Sequence, residues 1–409
     1  MIGIAHYSRA GDVGGVTTFT GDLARYLLAS GREVSIFLHH FGEDPTDSEF
    51  RAEMEDSGAK VVTKPWPHFT EKGVKNTLEF INTVKPQVFI PNCIPAHFWA
   101  ARTAGLAGLP WVFTFHSDDP IYWSCLEATS PDKCGGRVVS VSEFLCDEIA
   151  QRKLAASPLT IPCGVKLPAM PSRNPSASKL VYVGRLEEEQ KRITLVVKTM
   201  ILACERLESL TCKIIGNGPD EAKCRSLIEN VGLSKRIILT GRMDSASVST
   251  ELGNADIFLM MSDYEGVPIA LMEAMAHGVV PVVRRTQSGI PELVETGKTG
   301  IICSDSPDEA ASAIISLTKN SGLLHKLAKN ARNRISGKYR VDNCLASWDR
   351  LLKQSALSSP LKDPVPVSPR LPRPSKIGRA FDKRLPGVAS RSAAIGKNFL
   401  KALLGRRIA

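Results

Sequence analysis

The chain has 409 residues, 43% of them hydrophobic, with a mean hydropathy of −0.05. That is enough for two ordinary domains, and no run reaches the ~18 apolar residues that a membrane-spanning helix needs. The formal charge of +10 is uneven: residues 351–409 hold 13 basic and 2 acidic side chains, leaving 39 and 40 in residues 1–350. A neutral body with a basic tail argues against a nucleic-acid-binding fold, which carries its charge on the globular part. Ten cysteines lie scattered without CxxC pairs, poor material for a zinc site or a disulfide framework.

The first residues, MIGIAHYSRAGDVGG, lead straight into a strand and a Gly loop and do not resemble a signal peptide. With the scattered cysteines, this makes a cytoplasmic location the expectation. Ile2–His6 reads as a strand. After the SRAGDVGG loop, Val16, Phe19, Leu23, Tyr26 and Leu27 recur at helical spacing, Gly31 closes the helix, and VSIFL is the next strand. This is a βαβ opening with a Gly-rich first crossover. Its spacing is not GxGxxG, so a dinucleotide cofactor is not favoured. Gly14 and Gly15 either let a ligand approach the backbone or simply make a tight turn. Further strands are expected at Lys60–Thr63, Gln87–Pro91, Trp111–Phe115 and Val138–Val141. His116 follows one of them, at the strand end where open parallel sheets bind ligands, although taken alone a histidine there is more often structural. No D-x-D triplet suggests a divalent-metal nucleotide site.

A Pro/Ser-rich run, PAMPSRNPSASK, reads as a linker, and the βαβ rhythm then restarts. LVYVGRL is a strand ending in Gly184-Arg185, and EEEQKR leads into a helix. Arg185 and Lys191 share this loop. Together they suit a diphosphate, or else they pair with Glu187–Glu189. KIIGNGPD contributes Gly216 in a turn, RIILTGRM ends in Gly241-Arg242, and ADIFLMMS is another strand. Next comes SDYEGVPIALMEAMAHGVVPVV, a loop with Glu265, a short helix with Glu273, a Gly stop and a buried strand. Eight residues place the two acids up to ~12 Å apart along a helix. That does not match the ~5–9.5 Å of a glycosidase pair. Either they hold a polyol around a helix N-terminus, or they act as a cap and a salt bridge. Beyond two more helices, SSPLKDPVPVSPRLPRPSK is Pro-rich and expected to be disordered. AAIGKNFLKALLGRRIA gathers Ile395, Phe399, Leu400, Leu403 and Leu404 on one side of a helix, a pattern that suits an anionic membrane, a protein partner or solvent.

Taken together, these features resemble the retaining GT-B glycosyltransferases of family 4, group 1, which include sucrose-phosphate synthases and bacterial mannosyl- and glucosyltransferases. EGVPIALMEAMAHGVVPVV is similar to that family's E-x7-E signature, with Glu265 and Glu273 as its acids. SGIPELVETGKTGIIC, VGRL…QKR, IIGNGP, LTGR and ADIFLMMS follow its order, as do DVGGVTTFTGDLARYLLASGREV, FTFHSD, SVSEF and IPCGV in the first half. The resemblance implies an α/β GT-B fold, two Rossmann-like doubly wound domains facing across a cleft. It divides the chain into an acceptor domain 1–168, a linker 169–178, a nucleotide-sugar domain 179–338, a helix 339–356 crossing back, and a basic Pro-rich tail 357–409. It also implies a metal-independent hexosyltransferase without a cofactor. Arg185 and Lys191 would hold the donor diphosphate, Glu265 the sugar hydroxyls with the Gly266 and Val267 N–H groups nearby, and Glu273 the ribose. Gly14 and Gly15 would let the first-domain loop reach the phosphates, His116 would contact the transferred sugar, and Gly216 and Arg242 would lie near the base. Many members have Gly after the lysine, whereas this chain has Arg192, so either Lys191 or Arg192 would meet the phosphates. The implied partners are a nucleotide-sugar donor and a saccharide or lipid-linked acceptor, in envelope or exopolysaccharide synthesis. The tail beyond residue 356 has no counterpart in the family pattern, and its basic amphipathic stretch alone raises the inner face of a membrane as one expected location. A GT-B epimerase or phosphorylase, or a non-catalytic nucleotide-sugar-binding protein, is the alternative.

Overall fold

The computed structural model describes residues 1–9, 14–41, 48–67, 70–169, 178–356 and 364–367. Two parallel sheets organise the chain. The first comprises β1 (Ile2–Arg9), β2 (Val34–Phe41), β3 (Lys60–Pro65), β4 (Val88–Pro91), β5 (Trp111–Phe115), β6 (Gly136–Ser140) and β7 (Leu159–Thr160), in the order β3-β2-β1-β4-β5-β6-β7. The second comprises β8 (Lys179–Val183), β9 (Thr211–Ile215), β10 (Ile237–Gly241), β11 (Ile257–Met260), β12 (Val280–Arg284) and β13 (Ile301–Cys303), in the order β10-β9-β8-β11-β12-β13. Every pairing is parallel, with Ile4 beside both Ile36 and Ile90, and Leu180 beside Ile257. Helices cover both faces of such a sheet, so its central strands are apolar throughout. Val88, Phe89 and Ile90 are fully buried, as are Val280, Val282 and Val283.

Strand order reverses between β1 and β4 in one sheet and between β8 and β11 in the other. Loops diverge there at the carboxyl ends and leave a crevice. Ser117, just beyond β5, forms an antiparallel bridge with Gly266, just beyond β11, so the carboxyl ends of the two sheets meet. On the far side, the Val165 N–H donates to the Tyr339 carbonyl at 2.9 Å and the Val341 N–H donates to Val165 at 3.0 Å. The helix Val341–Ala356 then lies on the first unit. Its Trp348 is fully buried with its ring 5.3 Å from Phe19, and Asp349 pairs with Arg32 at 2.8 Å.

Residues 364–367 differ from the expected disorder of the Pro-rich tail. Val365 is 1% exposed, and the Asn82 side chain holds both its backbone groups, accepting from the N–H at 2.8 Å and donating to the carbonyl at 2.9 Å. One apolar side chain with a paired backbone suffices to dock the segment, and composition averaged over the tail conceals this. Residues 170–177 of the expected linker and the amphipathic stretch near the C-terminus lie outside the described residues. Among the described residues, no helix is long and apolar enough to cross a membrane.

Candidate active site in the cleft between the two sheets

The loop after β8 carries Arg185 and Lys191. Its base is braced from below, where the Tyr182 hydroxyl donates to the Arg185 carbonyl at 2.8 Å and the Leu186 N–H donates to Asn217 at 2.9 Å. Gly216 has φ +139°, and a Cβ there would lie 1.9 Å from the Gly184 carbonyl, so this glycine lets the β9 turn pack beneath the cationic loop. Arg185 projects outward, paired with Glu187 at 2.9 Å and with Gln190 Oε1 at 3.1 Å. Gln190 ties this loop to the one after β11. Its side chain donates to the Tyr264 carbonyl at 3.0 Å, and its carbonyl accepts the Asp263 N–H at 2.8 Å.

Lys191 Nζ donates to Glu265 Oε1 at 2.6 Å, with the two side chains 18% and 7% exposed. A charge-assisted bond this short joins the two switch-point loops. Arg192 turns elsewhere, to Asp263 and Asp305, both at 3.3 Å, where Arg284 also pairs with the same two carboxylates. Arg192 takes φ +48°, a left-handed conformation that costs a non-glycine residue ~1–2 kcal/mol.

Two helix ends converge beside this pair. Helix Ile269–Ala276 starts after Pro268 and helix Gly15–Ala29 after Gly14, both without a side-chain cap. A Cβ on Gly15 would lie 3.4 Å from Ile269 Cδ1, so the two N-termini face one another. Uncapped N–H groups and the positive ends of both helix dipoles suit an anion between them. Gly278, with φ +73°, closes the short helix.

The first sheet supplies His116. It is 8% exposed and its pKa falls to about 3, from burial and then the neighbouring His6, so the imidazole is neutral. Its Nε2 bonds Asn92 Oδ1 at 3.1 Å, and Phe19 meets its ring edge-on at 5.2 Å. A Cβ on Gly266 would lie 2.1 Å from the His116 carbonyl, and the Gly266 carbonyl accepts the Gly289 N–H at 2.9 Å. Val267 is buried behind this contact.

Glu273 is partly buried, and although its backbone carbonyl accepts from His277 Nδ1 at 2.8 Å, its carboxylate has no hydrogen-bond partner among the described residues. Burial, then the Asp22 carboxylate on helix Gly15–Ala29, raises its pKa from 4.5 to about 7. The free protein therefore holds this proton between pH 4.5 and 7 where the unfolded chain has lost it, and its stability falls as pH rises through that window. The melting-temperature advantage of Glu273→Gln over wild type is expected to grow from pH 5 to pH 8, and an advantage constant with pH would refute the assignment. A ligand that donates hydroxyl hydrogens to Glu273 binds the ionised form, so affinity should rise across the same range.

Arg242 reaches across the cleft to Glu49, on helix Glu49–Asp56 of the first unit. Of the residues singled out in the sequence, Lys191, Glu265, Gly266, Val267, His116 and Gly15 come together, with Gly14 capping and Arg185 at the rim. Glu273 lies further along the short helix, and Gly216 and Arg242 border the loops. Sequence reasoning missed Asn92, Gln190 and Asp22. Asn92 was findable in principle because it directly follows β4 at a carboxyl strand end.

Paired cations and uncapped helix ends, set at the switch points of two facing Rossmann-like sheets, define a GT-B protein. Comparison with known proteins gives the family. Residues 13–167 match Glycosyltransferase Family 4 and residues 169–334 match Glycosyl transferases group 1. The chain belongs to this GT-B group 1, family 4 lineage. A putative colanic acid biosynthesis glycosyltransferase, WcaL of Escherichia coli K12, is 34% identical over 244 residues, 53% of this chain and 57% of that protein. An amylovoran biosynthesis glycosyltransferase, AmsK of Erwinia amylovora, is 34% identical over 143 residues, 34% and 35% of the two chains. The matched stretches thus span about a third to just over half of these relatives. Among solved structures, the fold is similar to Anabaena HepE in complex with UDP, with a TM-score of 0.70 at 17% identity over 87% of this chain and 100% of the other. It is also similar to the sucrose-phosphate synthase of Thermosynechococcus elongatus, with a TM-score of 0.72 at 17% identity over 88% and 99%.

Proposed function

We propose that this protein is a retaining glycosyltransferase that moves a hexose from a nucleotide-sugar donor to a saccharide or lipid-linked acceptor, in the synthesis of an envelope or exported polysaccharide. The observation that carries this is the meeting of Lys191–Glu265 with two uncapped helix N-termini and a neutral His116 in one cleft. In this reading the donor diphosphate takes Lys191 and Arg185 from their carboxylate partners and lies against the helix ends. Both cations then stabilise the charge that grows on the leaving phosphate as the glycosidic bond breaks. These two charges do the work that a divalent metal does in other transferases. Glu265, released from Lys191, accepts hydrogen bonds from the sugar hydroxyls, and Glu273 accepts those of the ribose. The leaving phosphate takes the acceptor proton from the face on which the acceptor attacks, which retains configuration. Support for retention is the E-x7-E resemblance, and support for the polymer pathway is the kinship with the colanic acid and amylovoran enzymes.

A donor panel tests this directly. UDP-sugars and GDP-mannose are offered with and without EDTA, and slow hydrolysis or transfer is measured. One donor should be turned over at an EDTA-independent rate, and Arg185→Ala should reduce that rate ~10²-fold. Failure of every donor to bind would remove the reading.

The basic tail extends the proposal to an anionic membrane surface near the acceptor. Residues 368–409 hold 11 basic side chains and 1 acidic one, and Val365 pins the tail to the first unit just before them. The full chain is expected to co-sediment with anionic liposomes, and a chain ending at residue 367, which keeps the Val365 contact, is not. Equal binding by both would take the tail out of the argument.

A further inference from the structure

The hydrogen bonds behind His116 form a chain in which every proton can be placed. The Thr20 hydroxyl donates its single hydrogen to the Val16 carbonyl at 2.7 Å, so its oxygen can only accept from Asn92, 3.4 Å away. The Asn92 group facing Thr20 is therefore the NH2, and Oδ1 faces His116. An oxygen of that kind only accepts, so His116 Nε2 carries the hydrogen of their 3.1 Å bond. Asn92 itself is immobile. It is fully buried, its N–H donates to the Ala5 carbonyl at 2.9 Å, and its carbonyl accepts His97 Nδ1 at 2.9 Å. A neutral imidazole has one N–H, which leaves His116 Nδ1 with a lone pair. Nδ1 has no protein hydrogen-bond partner among the described residues, and His116 is 8% exposed.

We propose that Asn92 is a positioning residue that locks His116 in the Nε2–H tautomer, so that Nδ1 accepts a hydrogen bond from a hydroxyl of the transferred sugar. The inference rests on the transferase reading for the identity of that hydroxyl, but the tautomer itself does not depend on it. The titratable groups facing His116 are His6 from β1 and Tyr122 from helix Pro120–Thr129, with Cys93 between those two, while Phe19 covers the ring from helix Gly15–Ala29. Burial keeps His6 neutral and Tyr122 protonated, so neither brings a charge to His116 between pH 5.5 and 8.5. Over that range the site presents an acceptor and never a donor. A donor sugar whose hydroxyl at that position is replaced by fluorine keeps an acceptor there but loses the hydrogen, and it should fail as badly as the deoxy sugar.

The test uses the full chain labelled with ¹⁵N-histidine, with the His116 signals assigned by His116→Gln. Nuclear magnetic resonance of the ring nitrogens should find Nδ1 unprotonated and Nε2 protonated, unchanged from pH 5.5 to 8.5. In Asn92→Asp, a carboxylate replaces the amide and should bring imidazolium formation into that range. Turnover should fall ~10- to 100-fold with KM little changed and acquire a new inflection at the His116 titration. Thr20→Val, which preserves shape, guards against misfolding of the first variant and should yield a tautomer mixture with a smaller loss. An Nδ1–H tautomer in the wild type overturns the proposal whether or not transfer is observed, as do variants that keep both tautomer and turnover. The expected tautomer in a chain that transfers no sugar would sustain the Asn92 assignment and remove only the transferase reading.

Discussion

Lys191→Met is expected to lower turnover ~10²–10³-fold, as loss of one preorganised charge at a leaving group does, and to destabilise the free protein as well. The second effect comes from Glu265. Its side chain is 7% exposed, with the carboxylate bonded to Lys191 Nζ at 2.6 Å. Without that partner it is a nearly buried, uncompensated charge, and breaking such a pair costs about 3 kcal/mol. A double variant separates the two roles. Lys191→Met with Glu265→Gln removes the orphaned charge, so thermal stability should largely return while turnover stays lost. Measurement of melting temperature and donor turnover for Lys191→Met, Glu265→Gln and the double variant completes the cycle. Turnover within threefold of wild type in Lys191→Met would mean that the diphosphate lies elsewhere.

Gly266→Ala should be nearly as damaging, for a steric reason. The added Cβ would fall 2.1 Å from the His116 carbonyl and 2.9 Å from Val141 Cγ2, and the Gly266 carbonyl is held at 2.9 Å by Gly289. The closest neighbour is backbone, the His116 carbonyl, so no rotamer change relieves the overlap. The two loops must part, displacing Glu265 from His116. Overpacking of this kind costs about 1–3 kcal/mol. Because the strain falls on the reacting geometry, kcat/KM should drop by ~10²-fold. Gly253→Ala is the control. It sits within helix Ser245–Asn254 with its nearest neighbour 3.8 Å away, and should hold or gain up to ~1 kcal/mol of stability without touching activity. Equal behaviour of the two variants would show that the interface does not constrain the site.

The βαβ rhythm was legible because a fully buried parallel strand must be apolar along its length and its crossover is an amphipathic helix. IFLM at 257–260 and VPVVR at 280–284 could be read on that ground alone. The two-residue β7 escaped, because a pair of residues carries no periodicity. The docked Val365 escaped for a related reason, since one buried valine does not alter the composition of a Pro-rich tail.

The candidate site divides along the same line. Local chemistry only nominated Arg185, Lys191, His116, Glu265 and Glu273, because a salt bridge, a helix cap or a structural imidazole accounts for each of them as well, and the E-x7-E resemblance was needed to single them out. It left open whether Lys191 or Arg192 faces the ligand. The fold separates them: Lys191 binds Glu265, while Arg192 turns away to Asp263 and Asp305. The glycines at 15, 216 and 266 likewise read as turns, and only the packing reveals what a side chain at each would meet, respectively Ile269 and the carbonyls of Gly184 and His116.

By itself, then, the sequence determined the two α/β units, their family and the chemical types gathered in the cleft, since these depend on periodicity and on local spacing. Tertiary structure alone decided which cation meets which carboxylate, which way the Asn92 amide points and which proton His116 keeps. Apart from the local Thr20–Val16 bond, these depend on contacts between residues 24 to 113 positions apart in the chain, and on the removal of water from around them, which no local pattern encodes.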